Sequence, residues 1–194
     1  SSFLKAKASP SPIPGRCSPT RPARCGWSRI RPACGAASGG GAGSNATAQW
    51  AAGLGLNLQS STLKDDENGK PFHVQQAEQI RAYRAAWQAA GHAREPRVSV
   101  SRSVFALIDD RDRMYFGRGG KESDQIGFIE ETRSIFGRGY AAEPDRLVDE
   151  LARDQAVAEA DTLLLTVPNQ LGVDYNTHVI EAILKHVAPA LGWR

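Results

Sequence analysis

Cysteine is absent from most of this chain of 194 residues. Cys17, Cys25 and Cys34 all precede Gly43, with seven and eight residues between them, no Cys-x-x-Cys pair and no histidine nearby. That excludes a disulfide scaffold and gives no support to a structural zinc site. Long apolar runs are missing too, so no segment has the length and hydropathy of a bilayer span, and a cytoplasmic protein with no membrane partner is expected. Acidic residues are missing from the first 43 positions, which carry Lys5, Lys7, Arg16, Arg21, Arg24, Arg29 and Arg31 and no Asp or Glu. These are seven of the 24 basic residues; the other 17 face 21 acids, so the net +3 conceals a basic tail on a body of net −4. Such a tail touches anionic surfaces without specificity, and it lacks the regular interleaving of aromatics that a nucleic-acid site uses.

The chain is long enough for one sizeable core. Residues 1–43 are rich in Pro, Arg, Ser, Ala and Gly, as in Ser9-Pro10-Ser11-Pro12-Ile13-Pro14 and Gly39-Gly40-Gly41-Ala42-Gly43. With so little apolar surface to bury, they are expected to form a disordered tail. The expected domain is 44–194, with 41% hydrophobic and 23% charged residues overall.

Within it, a helix begins near Ser44 and a strand covers Leu56–Ser61. A polar loop over 64–70 leads to a helix over 72–90, with Val74, Ala77, Ile80, Tyr83 and Trp87 at helical spacing. Residues 97–108 alternate as a strand, and 109–116 form a short helix followed by a glycine-rich basic loop at 117–121. A helix is expected over 145–158, a doubly buried strand over 161–168 and a last helix over 175–187. Helices and strands alternate, as in βα units around a parallel sheet.

The stretch Gly43-Ser44-Asn45-Ala46-Thr47 carries the chemistry. Ser44 is suited to cap a helix, and Thr47 comes back over the same entrance one turn later. Hydroxyls at the positive end of a helix make a seat for phosphate, although a serine cap also serves a helix that binds nothing. Ser44-x-x-Thr47-x-x-Trp50-Ala51-Ala52-x-x-Gly55, running into an apolar strand, resembles the bacterial luciferase-like family of flavin-dependent monooxygenases. Gly137–Leu151 and Ala160–Pro168 are similar to later segments of that family.

The resemblance implies an α/β fold, the C-terminal portion of a (β/α)8 barrel with about three strands and their helices. It also implies reduced FMN as cofactor, its phosphate held by Ser44 and Thr47 with Gly43 and Asn45 alongside. Gly43 stands where the family often has an acid. Oxygen, an organic substrate and a flavin reductase are the implied partners. The place of the barrel strand that should precede the seat reads Ile30–Gly35 and shows no strand pattern, so a lost or replaced upstream sequence is expected. A deazaflavin hydride-transfer enzyme, an inert fragment and an assembly-dependent subunit, such as a homo-oligomer, are the alternatives.

Strand-end positions supply further candidates: Gln59, Ser60, Ser61, Asp109, Asp110, Pro168, Asn169 and Gln170. Asp109 suits a helix cap as well as a general base, and His178 suits a helix surface as well as a proton donor. No catalytic residue is assigned, and spacing alone yields no metal-ligand cluster.

Overall fold

Four short strands, β1 (Gly39–Ala42), β2 (Asn57–Ser60), β4 (Val98–Arg102) and β9 (Thr162–Leu165), pair in that order, all parallel. The computed structural model describes residues 39–117, 123–129 and 131–193. Residues 1–38 of the predicted tail, with the three cysteines and Ile30–Gly35, lie outside the described residues, as do 118–121 of the predicted loop.

Helix α1 (Asn45–Gly53) follows β1, and α2 (Phe72–Ala89) follows β2. Both lie on one face of the sheet, where Ala42, Leu58, Val98 and Val100 meet Ala48, Ala52, Ile80, Tyr83 and Trp87. Close packing at the first strand depends on Gly40, where an added Cβ would lie 3.2 Å from the Ala51 methyl. Gly55, at φ +70°, turns the chain from α1 into β2. The other sheet face carries Gly41, Gln59, Ser99 and Thr162 in one row across all four strands, and no helix of the described residues packs across it.

After Ser103 the strand continues as β5 (Val104–Ala106), which pairs in parallel with β8 (Tyr140–Ala142). A second core forms here with α4 (Pro144–Ala152) and α6 (Gly172–His186), through Val104, Leu147, Leu151, Val179 and Ile183. Strand β3 (Leu63–Asp65) joins the hairpin β6 (Gln125–Ile129) and β7 (Thr132–Phe136) in a separate antiparallel sheet. Helix α3 (Asp110–Phe116) follows β5, and α5 (Gln155–Glu159) precedes β9. The fold is therefore mixed α/β with parallel strands at its centre, and no described helix is long and apolar enough to cross a membrane.

Several expectations need correction. The glycine run 39–42 is a strand, because backbone pairing with β2 needs no side chain from it. Part of the polar loop expected over 64–70 belongs to β3, and β6, β7 and β8 had no predicted counterpart. The helix expected over 145–158 is two helices, interrupted where Asp154 caps α5 by accepting from Val157 N at 3.0 Å. Strand β9 is only partly covered, with Leu164 45% exposed, rather than buried on both faces.

Asp154 also joins the two cores. Its carboxylate accepts Arg102 Nε at 2.7 Å, Arg102 Nη2 at 3.0 Å and the Tyr140 hydroxyl at 2.7 Å, with both charged side chains buried. Burial pushes its pKa up, but the bonds from Arg102 and Tyr140 outweigh that and hold it below the usual carboxylate value. Replacing Asp154 with Asn strands the guanidinium in the interior, and urea unfolding at neutral pH is expected to register a loss of about 3–5 kcal/mol. The depressed folded pKa makes this contribution complete above the ordinary carboxylate range, about pH 4, and lost as pH falls through the folded value. Acid titration of the variant should accordingly show less loss of stability below about pH 4 than wild type.

Candidate functional site

The chain leaves β1 through Gly43 and enters α1 at Ser44, whose extended backbone (φ −124°, ψ 161°) is that of an N-cap. Ser44 Oγ accepts the Thr47 amide at 3.2 Å and lies 3.0 Å from Thr47 Oγ1. The two hydroxyls therefore converge at the helix entrance, with Ser44 half-buried and Thr47 exposed. Gly43, Ser44, Asn45 and Thr47 thus form one continuous patch.

What holds this patch is a layer of buried amides from α2. Gln79 Nε2 donates to Ser44 O at 2.9 Å and to Ala42 O at 3.4 Å, while its Oε1 accepts from Ser60 Oγ at 2.7 Å. Gln76 donates to Ser60 Oγ at 3.0 Å and to Ser61 O at 2.8 Å. Ser60 and Ser61, candidates as strand-end residues, therefore serve as anchors beneath the patch, and Ser60 is fully buried. Gln59 instead stands on the helix-free sheet face, its side-chain oxygen accepting from Ser99 Oγ at 2.5 Å.

Two charged residues beside the patch were not anticipated. Lys64, buried in β3, donates from Nζ to Gly43 O at 3.3 Å. Burial lowers its pKa, and Glu67, Asp65 and Glu78 counter that only in part. Glu67 accepts Asn45 N at 3.1 Å through Oε1 and Asn45 Nδ2 through Oε2. A carboxylate thus already occupies the positive end of α1, as an anion is expected to do there. It is placed by the preceding residue: Asp66 takes Gly69 N at 2.8 Å, Gln75 Nε2 at 2.8 Å and Arg133 Nε at 3.0 Å. Neither residue had a sequence signal beyond its charge, since both sit in a run that reads as a solvated turn.

At the end of β5, Asp109 caps α3 by accepting Asp112 N at 2.8 Å, and Asp112 reciprocates with Asp109 N at 3.2 Å. This is a capping box, legible in hindsight as Asp-x-x-Asp before a short helix. Asp112, buried, also accepts the Tyr175 hydroxyl at 2.5 Å and lies 3.0 Å from His178 Nε2. Burial raises the Asp112 pKa, but bonds from Tyr175, His178 and the backbone bring it below the usual value. His178 is therefore neither a bare surface residue nor alone: potential ligand atoms of Asp109, Asp112 and His178 lie within 4.8 Å of one another, a cluster that spacing had not suggested. Its bonds tie α6 to α3. Asp110 is exposed and pairs with Arg113 at 3.2 Å, away from that cluster's bonds. Pro168 precedes the 3-10 turn Asn169–Leu171, which holds Gln170 and leads into α6.

Removing the Ser44 cap by Ser44→Ala is expected to cost about 1 kcal/mol in urea unfolding, whatever the patch binds.

No protein-family model matches the chain, and no curated protein matches it. Among solved structures it is similar to the monooxygenase RslO1 from Streptomyces bottropensis, at 14% identity and a TM-score of 0.48, over 76% of this chain and 45% of that one. The chain spans less than half the length of that monooxygenase, and a likeness of this degree assigns neither family nor activity.

Proposed function

We propose that this chain is the C-terminal portion of a (β/α)8-barrel, luciferase-like flavin-dependent monooxygenase, with Ser44 and Thr47 holding the phosphate of reduced FMN. The observation that carries the reading is the convergence of the two hydroxyls, 3.0 Å apart, at the N-terminus of a helix that directly follows a parallel strand. The donor set fits a phosphate: two alcohols, a helix entrance and a lysine ammonium behind the Gly43 carbonyl. Glu67 at the Asn45 amide is a stand-in that marks where negative charge is welcome.

In this reading the bound reduced flavin supplies the oxygen chemistry, drawing on O2 and a partner reductase to oxygenate an organic substrate. The chain's own residues bind and orient. Gln79 fixes the Ser44 carbonyl and so the cap angle, Lys64 adds positive charge from below, and Asn45 offers its amides once Glu67 withdraws. A cytoplasmic setting suits a reductase-coupled reaction. Deazaflavin carries a phosphate as well, so both cofactors belong in the test.

Calorimetric titration of the full chain with FMN and with a deazaflavin is the direct experiment. The double variant Ser44→Ala, Thr47→Ala is expected to weaken FMN binding about tenfold or more, from two lost hydrogen bonds to a charged group. Glu67→Gln, which removes the competing carboxylate, should strengthen it. Unchanged affinity in both variants rules out the phosphate seat.

A further inference from the structure

We propose that the cavity between the β6–β7 hairpin, the start of α2 and the α4–α5 junction binds a small organic acid. Arg153 and His73 take its carboxylate, and Phe72, Ile126 and Ile135 take its apolar body. The site is separate from the phosphate seat and does not rest on the flavin reading.

The cavity holds about 540 Å³, within the range of about 300–1,000 Å³ that small-molecule sites occupy. Arg102, Asp154 and Tyr140 line it with the buried cluster already described. Burial pushes the Tyr140 hydroxyl up to about 12, so at neutral pH the cluster holds one positive and one negative charge and is neutral as a whole. It gives the cavity a rigid wall without deciding the sign of a guest.

The other charged groups decide it. Asp124 is engaged through both oxygens, accepting Phe72 N at 2.7 Å and Arg138 N at 3.2 Å. Glu150 accepts Arg146 Nε at 2.8 Å and lies 3.6 Å from Arg138 Nη2. Lys70 is paired with Glu78, and Arg138 also lies over the Tyr140 ring at 4.7 Å. Arg153 alone of the lining charges has no hydrogen-bond or ion-pair partner among the described residues. Beside it, His73 Nδ1 accepts Gln155 N at 3.3 Å, two residues past Arg153. The neutral ring therefore carries its proton on Nε2, which has no partner among the described residues. A cation entering the cavity finds each carboxylate already engaged, whereas an anion finds a guanidinium and an imidazole N–H at one end.

The remaining walls are apolar. Ile126 and Ile135 are directly paired across the hairpin and so share the face that lines the cavity. Ile126 is 55% exposed, and Phe128, on the same face two residues on, is 74% exposed. The Phe72 ring is fixed between the Arg102 guanidinium, 5.6 Å from its centre, and Gly137, where an added Cβ would lie 2.6 Å from the ring. An alkyl or aryl body against Ile126 and Phe72 removes apolar surface from water, which a sugar or inorganic phosphate does not do. Unpaired cation and uncovered apolar wall in one cavity define an amphipathic acid.

Calorimetric titration of the full chain with octanoate and with 4-phenylbutyrate tests the proposal. Saturable one-to-one binding is expected, with the neutral 4-phenylbutanamide about tenfold weaker than the acid, since it brings no charge to Arg153. Arg153→Gln and Ile126→Asp should each raise the dissociation constant about tenfold. Both side chains are exposed, so circular dichroism of these variants should match wild type. The double variant Ser44→Ala, Thr47→Ala should leave octanoate binding unchanged, and a loss there overturns a separate site. So does the absence of saturable binding by both acids at millimolar concentration, equal affinity for acid and amide, or binding that Arg153→Gln and Ile126→Asp leave intact.

Discussion

The Gln79 side chain sets the position of everything around the first helix. It is completely buried, and its three hydrogen bonds reach the end of β1, the Ser44 carbonyl and the Ser60 hydroxyl. A buried amide left without partners costs about 1–3 kcal/mol for each missing bond, so the arrangement is held by the penalty for leaving it. With strand end, helix entrance and the neighbouring strand tied to one side chain, the angle between β1 and α1 is fixed. The two hydroxyls that converge at the entrance do so on a rigid base.

The Arg102–Asp154–Tyr140 cluster plays the corresponding part between the two cores. It interrupts what reads as one long helix, gives α5 its cap and joins β4 to β8 across the interior. The chain thus has two apolar clusters, one behind the four-stranded sheet and one behind β5 and β8, with a buried ion pair linking the strands and helices around them. Hydrophobic burial supplies the driving force in each, and the polar links supply orientation.

Much of this was legible in the sequence where side chains carry the periodicity. Ile80, Tyr83 and Trp87 marked α2, and the alternation Val98-Ser99-Val100-Ser101 marked β4. Val98 and Val100 face inward and Ser99 and Ser101 outward as the alternation says, and Ile80, Tyr83 and Trp87 are buried as their spacing says. Gln75, Gln76, Gln79 and Arg102 are buried as well, which no apolar pattern marks. Strand β1 was not legible because three glycines have no side chains to alternate; its structure comes from its neighbour's backbone. Lys64 misled for a different reason, since a lysine within a run of acids reads as solvated and here is buried against the Gly43 carbonyl. In the site, the cap chemistry of Ser44 was visible in advance, whereas Glu67, Gln79 and Asp112 depend on contacts between residues 22 to 66 positions apart.

Glu67 has a kinetic meaning. Asp66 is clamped to Arg133 and Gln75, and the neighbouring Glu67 carboxylate sits at the helix entrance as a tethered ligand, which in the proposed reading competes there at high effective concentration. On the proposed phosphate seat, an anion would bind only the form from which that carboxylate has withdrawn, with its apparent affinity reduced by the fraction of that form. In that reading arrival waits on the departure of an internal rival, and the turn at 66–69 sets how often the seat stands open.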